Sequence, residues 1–122
     1  MTDTNYDPNE IVQAADTKYE AGDLSGAQKL FKSALLEWVD DAQFGGSADD
    51  DGMQKAISEL WIAYAKLNRK AKMNKSAAEA FEAAVNCPIA GSRGNIWLEY
   101  AKFYEERNPP KHKSAQKVYL RA

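Results

Sequence analysis

The sequence is poor in the residues that build disulfide frameworks and metal centres. Cys87 is the single cysteine and His112 the single histidine among the 122 residues. One thiol cannot form an internal disulfide, and a structural zinc site ordinarily takes four ligands, most of them cysteine or histidine. We therefore expect neither a disulfide-stapled secreted fold nor a zinc centre, and we predict no cofactor.

Long apolar runs are also missing. No stretch approaches the roughly 20 consecutive apolar residues that span a bilayer, so we expect no membrane span. The first twenty residues are acidic, contain no arginine and have no apolar core, which argues against a secretory signal or an organellar transit peptide. By elimination we expect a nuclear or cytosolic location.

The short motifs of common enzyme sites are absent as well. The chain contains no phosphate-binding P-loop, no dinucleotide-binding glycine fingerprint and no nucleophile elbow. The adjacent acids Asp49, Asp50 and Asp51 lack the ligand spacing of a calcium loop, and a solvated acidic linker explains them better. The sequence therefore favours a protein that is not an enzyme.

The charge is unevenly distributed along the chain. Residues 1–52 hold twelve acidic residues against three lysines, whereas residues 53–122 hold thirteen lysines and arginines against six acids. The net charges of the two parts are thus −9 and +7. The second part could attract phosphate or an acidic partner, although solvated helix faces would give the same composition.

Helix signals dominate the sequence. Asp7, Pro8 and Glu10 form an N-cap, a proline at the first helical position and the acid of a capping box, and Gly22 can end that helix. Asp23 or Ser25 can then cap a second helix after a very short turn. Because no period-two alternation of β-branched residues competes, we predict an all-α fold.

The same signals divide the chain into segments. We predict a disordered N-terminus over residues 1–6, a helical hairpin over 7–42 and an acidic flexible loop over 43–52, rich in glycine and aspartate. A second hairpin is predicted over 53–88 and a third over 93–122, the latter interrupted by Pro109 and Pro110.

The three hairpins share an internal repeat. Within the second helix of each, an alanine precedes an aromatic ring by four residues, which places both on one helical face. The first helices of the second and third hairpins share tryptophan and tyrosine three residues apart. The residues predicted to pack between neighbouring helices are Ala27, Phe31, Trp61, Tyr64, Phe81, Trp97, Tyr100 and Tyr119, with Ala77 and Ala115 in the same frame.

This pattern resembles tetratricopeptide repeats, and in the second and third hairpins it resembles their half-a-TPR (HAT) variant. The resemblance implies an α-solenoid of three antiparallel helical hairpins wound as a right-handed superhelix. It also implies a scaffold for protein–protein interaction in a nuclear RNA-processing or ribonucleoprotein assembly, such as splicing, 3′-end formation or ribosome biogenesis. A co-chaperone adaptor is a lesser alternative, because Asp16 on the first inner helix would repel a peptide carboxylate.

Two surfaces are predicted to contact partners. The first is a basic ridge along equivalent turns of the second and third hairpins, which could bind RNA directly; its residues are Arg69, Lys70, Lys72, Lys75, Lys111, Lys113, Lys117 and Arg121. The second is an uncapped C-terminal end with Val118 and Leu120 exposed. We expect that end either to continue in a longer protein or to be covered by a partner, for which a second copy of the chain in a homodimer is one candidate.

Overall fold

The computed structural model of the chain describes residues 7–46, 50–87, 89, 94–106 and 111–121. Within these ranges there are six α-helices and no β-strand, so the prediction of an all-α fold is confirmed. The helices are α1 (Pro8–Glu20), α2 (Leu24–Phe44), α3 (Asp51–Lys70), α4 (Asn74–Val85), α5 (Gly94–Glu105) and α6 (His112–Arg121).

The turn between α1 and α2 is built by the residues that the sequence indicated. At the start of α1 the Asp7 carboxylate accepts a hydrogen bond from the Asn9 backbone N–H at 3.0 Å. Gly22 ends the helix with a φ of 88°, in the left-handed region that glycine occupies without a steric cost. The Asp23 side chain then accepts from the Gly26 N–H at 2.9 Å and starts α2. The predicted roles of Asp7, Gly22 and Asp23 at the helix ends are therefore confirmed.

The turn between α3 and α4 repeats this geometry with a different residue. Lys72 has a φ of 63°, the single left-handed position outside glycine among the described residues. The N–H of Met73 closes the turn on the Asn68 carbonyl at 2.8 Å, as Asp23 does on Lys18 in the first turn. The left-handed conformation costs a non-glycine residue roughly 1–2 kcal/mol. Nothing in the sequence indicated that Lys72 has this structural role.

The helices extend further into the acidic loop than predicted. α2 continues to Phe44 and α3 begins at Asp51, so both ends of the predicted 43–52 loop are helical. Asp51, predicted to belong to the loop, lies in the first turn of α3, where an acid interacts favourably with the positive end of the helix dipole. Residues 47–49 and the N-terminal segment 1–6 lie outside the described residues.

Consecutive helices form three pairs: α1–α2, α3–α4 and α5–α6. The first helix of each later pair packs on both helices of the preceding pair. α3 packs on α1 and α2, and α5 packs on α3 and α4. No contact among the described residues joins the first pair to the third. Within this part of the chain, each pair is thus held by its sequence neighbours alone.

Aromatic rings mark the two places where one pair meets the next. Phe31 on α2 lies 5.7 Å from Tyr64 on α3, and Phe81 on α4 stacks on Tyr100 of α5 at 5.2 Å with an interplanar angle of 8°. Both phenylalanines are almost fully buried, with exposed fractions of 2% and 3%. We call these contacts the ring pairs. They join the helix pairs at equivalent positions of the repeat.

Close helix approach depends on small residues beside the rings. Ala65 and Ala101 follow the two tyrosines directly and are fully buried, as is Ala15 at the matching place in α1. A side chain larger than alanine at these positions would force the helices apart. The alanines therefore set the short distance at which the rings can meet.

The packing prediction fails at the last position of the repeat. Tyr119 occupies the frame position of Phe31 and Phe81, yet its exposed fraction is 49%. Both phenylalanines are covered by the first helix of the following pair, and no helix of the described residues follows α6. The Tyr119 hydroxyl instead donates to Glu105 at 2.6 Å. Trp61 and Trp97 are only partly buried, so they lie at the margin of the core.

The contrast between Phe81 and Tyr119 provides a direct test of the packing. We expect Phe81→Ala to lower the free energy of unfolding by about 3–5 kcal/mol, since it removes a buried ring from a close-packed contact. Tyr119→Ala should lower it by less than half as much, because the ring is half exposed and its hydroxyl bond to Glu105 lies at the surface. Urea unfolding of the purified chain, followed by circular dichroism, measures both. Equal losses would contradict the structure.

Candidate functional site

An apolar groove runs between α2 and α4, with α3 as its floor. Its volume is about 320 Å³. The residues that line it are Lys32, Leu35, Leu36, Val39, Trp61, Tyr64, Ala83 and Cys87. Leu36 has an exposed fraction of 68% and adjoins the other apolar residues of the groove. The groove therefore presents an apolar surface to solvent.

This groove arises because α2 is apolar on two sides. Leu35 points into the core, whereas Leu36 is rotated about 100° around the helix and lies on the groove side. Trp61 forms part of the floor, and its ring lies 6.4 Å from that of Tyr64. The indole nitrogen of Trp61 is buried and has no acceptor among the described residues. The sequence predicted Trp61 as a packing residue and missed the groove.

The opposite surface, between α1 and α3, carries charges of both signs. Two adjoining hollows there contain Val12 and Asp16 of α1 together with Glu59, Lys66 and Lys70 of α3. Lys66 pairs loosely with Glu99 at 3.7 Å, and the Lys70 ammonium lies 5.1 Å from the centre of the Tyr19 ring. Lys66 is thus already paired with an acid, and Lys70 is already in contact with an aromatic ring.

The predicted basic ridge is only partly free to bind an anion. Arg69 donates to Glu106 at 2.6 Å, and this ion pair ties the end of α3 to the end of α5. Lys70 is engaged by the Tyr19 ring. The remaining lysines of the ridge, Lys72, Lys75, Lys111, Lys113 and Lys117, are exposed and form no ion pair within the described residues. We call these five the lysine cluster.

Arg121, the last residue of the predicted basic ridge, is engaged by an acid of another helix. α6 has 10 residues, about 15 Å of helix, and Arg121 stands at the end away from Lys111. Its guanidinium makes two hydrogen bonds to the Glu82 carboxylate, at 2.7 and 2.9 Å, and lies 5.3 Å from the Trp97 ring. Tyr100 donates to the same carboxylate at 2.5 Å. Arg121 therefore links α6 to α4 and α5.

Val118 was predicted to be exposed with Leu120, and for Val118 this prediction was wrong. Val118 has an exposed fraction of 3%, whereas that of Leu120 is 86%. Residues two apart on an α-helix point about 200° from each other, so one of them faces α5 and the other faces away. Leu120 remains an exposed apolar residue at the end of α6.

A buried polar contact between the first two helix pairs was not predicted. Asn68 is fully buried, and its side-chain oxygen accepts a hydrogen bond from Gln28 of α2 at 2.8 Å. The equivalent positions in α1 and α5 carry Lys18 and Tyr104. The repeat pattern therefore contained no signal for this contact, which fixes the register of α3 on α2.

Two further findings concern the described residues as a group. No three histidine, cysteine, aspartate or glutamate side chains gather there as a possible metal-binding set. In the same part of the chain, none of the helices has the combination of length and apolar character that crossing a membrane requires.

Comparison of the chain with protein-family models, with curated proteins and with solved structures found no match. The resemblance to tetratricopeptide and HAT repeats consequently stays a prediction from the residues themselves.

The hydrogen bonds that Glu82 accepts from Arg121 and Tyr100 predict a pH dependence of stability. The hydrogen bonds from Arg121 are the main cause that lowers the pKa of Glu82 from its ordinary value of 4.5. A lowered pKa in the folded state means that stabilisation is complete above the ordinary value and is lost as the pH falls through the lowered one.

At neutral pH we expect Glu82→Gln to cost roughly 0.5–1 kcal/mol, a modest value because the pair is half exposed. The difference from the unsubstituted chain should shrink as the solution is acidified below the lowered pKa. Urea unfolding at a series of pH values measures it. A cost that did not change with pH would contradict the proposed origin of the stabilisation.

Proposed function

We propose that the chain is a non-catalytic protein-interaction scaffold. Its helix pairs are the antiparallel hairpins of an α-solenoid of tetratricopeptide and HAT type, a right-handed superhelix. Two observations support this architecture: each later pair rests on the one before it through its first helix, and the two ring pairs recur at matching positions. In such a stack the function lies in the surfaces that the helices present.

The partner surface is the apolar groove between α2 and α4. The observation that carries this proposal is the exposure of Leu36 at the rim of a groove lined almost entirely by apolar side chains. Contiguous exposed apolar surface is typical of protein-binding sites, because its burial against a partner releases water. The groove accepts apolar side chains of a partner segment, and Lys32 at its edge favours a partner with an acidic flank.

The assembly we propose is a nuclear RNA-processing or ribonucleoprotein complex. This part rests on the resemblance of the tryptophan and tyrosine spacing in α3 and α5 to HAT repeats, whose known members are mostly scaffolds of such complexes. Cytoplasmic action is the alternative location. The co-chaperone adaptor remains a lesser alternative, because Asp16 and Glu59 share the inner surface with Lys66 and Lys70.

Proximity labelling in the cells that produce the protein tests this proposal. We expect the tagged chain to label nuclear RNA-processing proteins, and Leu36→Asp to reduce that labelling about tenfold or more, since a charge in the groove opposes apolar contact by at least about 1.4 kcal/mol. Phe44→Asp is the matched control, because Phe44 is exposed and lies outside the groove. Both substitutions are at exposed sites and should leave the thermal midpoint nearly unchanged.

Two outcomes would overturn the proposal. If Leu36→Asp and Phe44→Asp labelled the same proteins to the same extent as the unsubstituted chain, the groove would not be the partner surface. If the labelled proteins had no connection with RNA processing, the proposed assembly would be wrong even where the groove was right.

Direct RNA contact is the second candidate function, and one observation favours it. The Arg69–Glu106 ion pair brings the end of α3 beside the end of α5. The backbone N–H of Lys72 donates to the Arg69 carbonyl and that of Lys111 donates to the Tyr104 carbonyl, so one lysine of the cluster lies at each of these two helix ends. An edge with several unpaired cations can track a phosphate backbone.

Filter binding of single-stranded RNA at several salt concentrations tests this candidate. The double variant Lys75→Glu with Lys113→Glu should weaken binding and flatten the slope of log affinity against log salt by more than about 1. Lys29→Glu with Lys55→Glu changes the net charge equally at exposed sites outside the cluster and should leave the slope nearly unchanged. Equal losses in both double variants, or no binding at low salt, would remove the candidate.

A further inference from the structure

The outer face of α2 carries an apolar residue between two charges of opposite sign. Lys32, Leu36 and Asp40 follow one another at steps of four residues, which places them in one row along the helix. All three side chains are exposed. We call these three residues the α2 row. It follows the rim of the apolar groove, because Lys32 and Leu36 both line that groove.

The two charges of the α2 row are available to a partner. Lys32 and Asp40 are eight residues apart, about 12 Å along the helix, so they cannot pair with each other. Neither forms an ion pair with another of the described residues. The row therefore offers one apolar contact with a cation on one side of it and an anion on the other.

The order of these groups makes the α2 row complementary to itself. Two α2 helices that lie antiparallel about a two-fold axis at Leu36 bring Lys32 of each copy opposite Asp40 of the other, because both residues stand four positions from Leu36. The same symmetry brings Lys29, seven positions before Leu36, opposite the neutral Gln43, seven positions after it. Two pairs of opposite charge thus flank the contact between the two leucines.

A parallel arrangement of the two helices is disfavoured by the same charges. It sets Lys32 against Lys32 of the second copy and Asp40 against Asp40 of the second copy, and like charges opposed at an interface are costly. The charge order of the row therefore selects the antiparallel arrangement.

We infer that the partner of the groove is a second copy of the chain, and that the two copies pair antiparallel through their α2 rows. The inference rests on the proposed function, which requires a partner segment with an apolar side chain and an acidic flank, and Leu36 and Asp40 of α2 supply both. Each Leu36 then lies at the groove rim of the other copy, where its burial releases water. Because both copies use the same surface, the contact closes as a dimer.

The α2 row is not the homodimer surface that the sequence indicated. That candidate lay at the end of α6, around Val118 and Leu120, and α2 contains neither residue. The two surfaces are therefore separable by substitution.

Sedimentation equilibrium of the whole chain over a range of concentrations tests the inference. We expect a mass that rises from 13.6 kDa toward twice that value as the concentration increases. Lys32→Glu and Asp40→Lys should each weaken dimerisation at least about tenfold, because either substitution opposes like charges at both flanks of the contact. Lys55→Glu is the matched control, since it makes the same charge change at an exposed site outside the groove. It should leave the equilibrium nearly unchanged.

Mixing the two single variants makes the test specific to the antiparallel geometry. In a mixed dimer the glutamate introduced in one copy faces the lysine introduced in the other, and the unsubstituted Asp40 faces the unsubstituted Lys32. Both pairs are then attractive, so the mixture should dimerise about as tightly as the unsubstituted chain, although each variant alone does not. The double variant Lys32→Glu with Asp40→Lys should dimerise for the same reason. All these sites are exposed, so circular dichroism should show nearly the same thermal midpoint throughout.

Two results would overturn the inference. The first is a 13.6 kDa monomer at every concentration up to about 1 mM. The second is a dimer that neither single variant weakens, or that the mixture of the two does not restore, because the copies would then meet elsewhere or in another orientation.

A failure of this inference is distinguishable from a failure of the proposed function. If the chain is a monomer and its labelling in cells still depends on Leu36, the groove remains a partner surface but its occupant is a different protein. If the chain dimerises as expected and the labelled proteins have no connection with RNA processing, the dimer stands and the proposed assembly does not.

Discussion

The structure depends on the burial of one aromatic ring by the first helix of the next pair. A pair of helices alone leaves one apolar side open, and two such pairs become stable when the open side of one is covered by the other. Phe31 and Phe81 are the residues that make this contact, and the neighbouring alanines Ala65 and Ala101 permit the close approach it needs. The groove follows from how the pairs are stacked, because α2, α3 and α4 of two consecutive pairs form it.

Local features of the fold were predictable because they depend on local chemistry. Asp7, Gly22 and Asp23 set the ends of α1 and α2 through hydrogen bonds to backbone groups a few residues away. The repeat likewise placed Phe31 and Phe81 on a buried face, because ring and small residue recur at a helical spacing. The left-handed conformation of Lys72 was missed, since nothing about a lysine indicates it.

The candidate sites were less predictable, because exposure is decided by neighbours far along the chain. Tyr119 has the spacing of a core residue, yet it is half exposed. Its neighbour Val118 was predicted to be exposed, yet it is buried. Arg121 was grouped with the basic ridge by sequence, and its pairing with Glu82, far back on α4, could not be read from that stretch. Predicting the groove would have required the relative positions of α2, α3 and α4, and no single segment of the sequence indicates these.

The packing of consecutive helix pairs depends on the energetic coupling between the two rings of each ring pair. A double-mutant cycle with Phe31→Leu and Tyr64→Leu, measured by urea unfolding, tests it most directly. The structure predicts a coupling of about 0.5–1.5 kcal/mol, the range found for aromatic pairs in contact. Strictly additive losses would show that the two rings act independently, and they would contradict a stack of helix pairs held together by its rings.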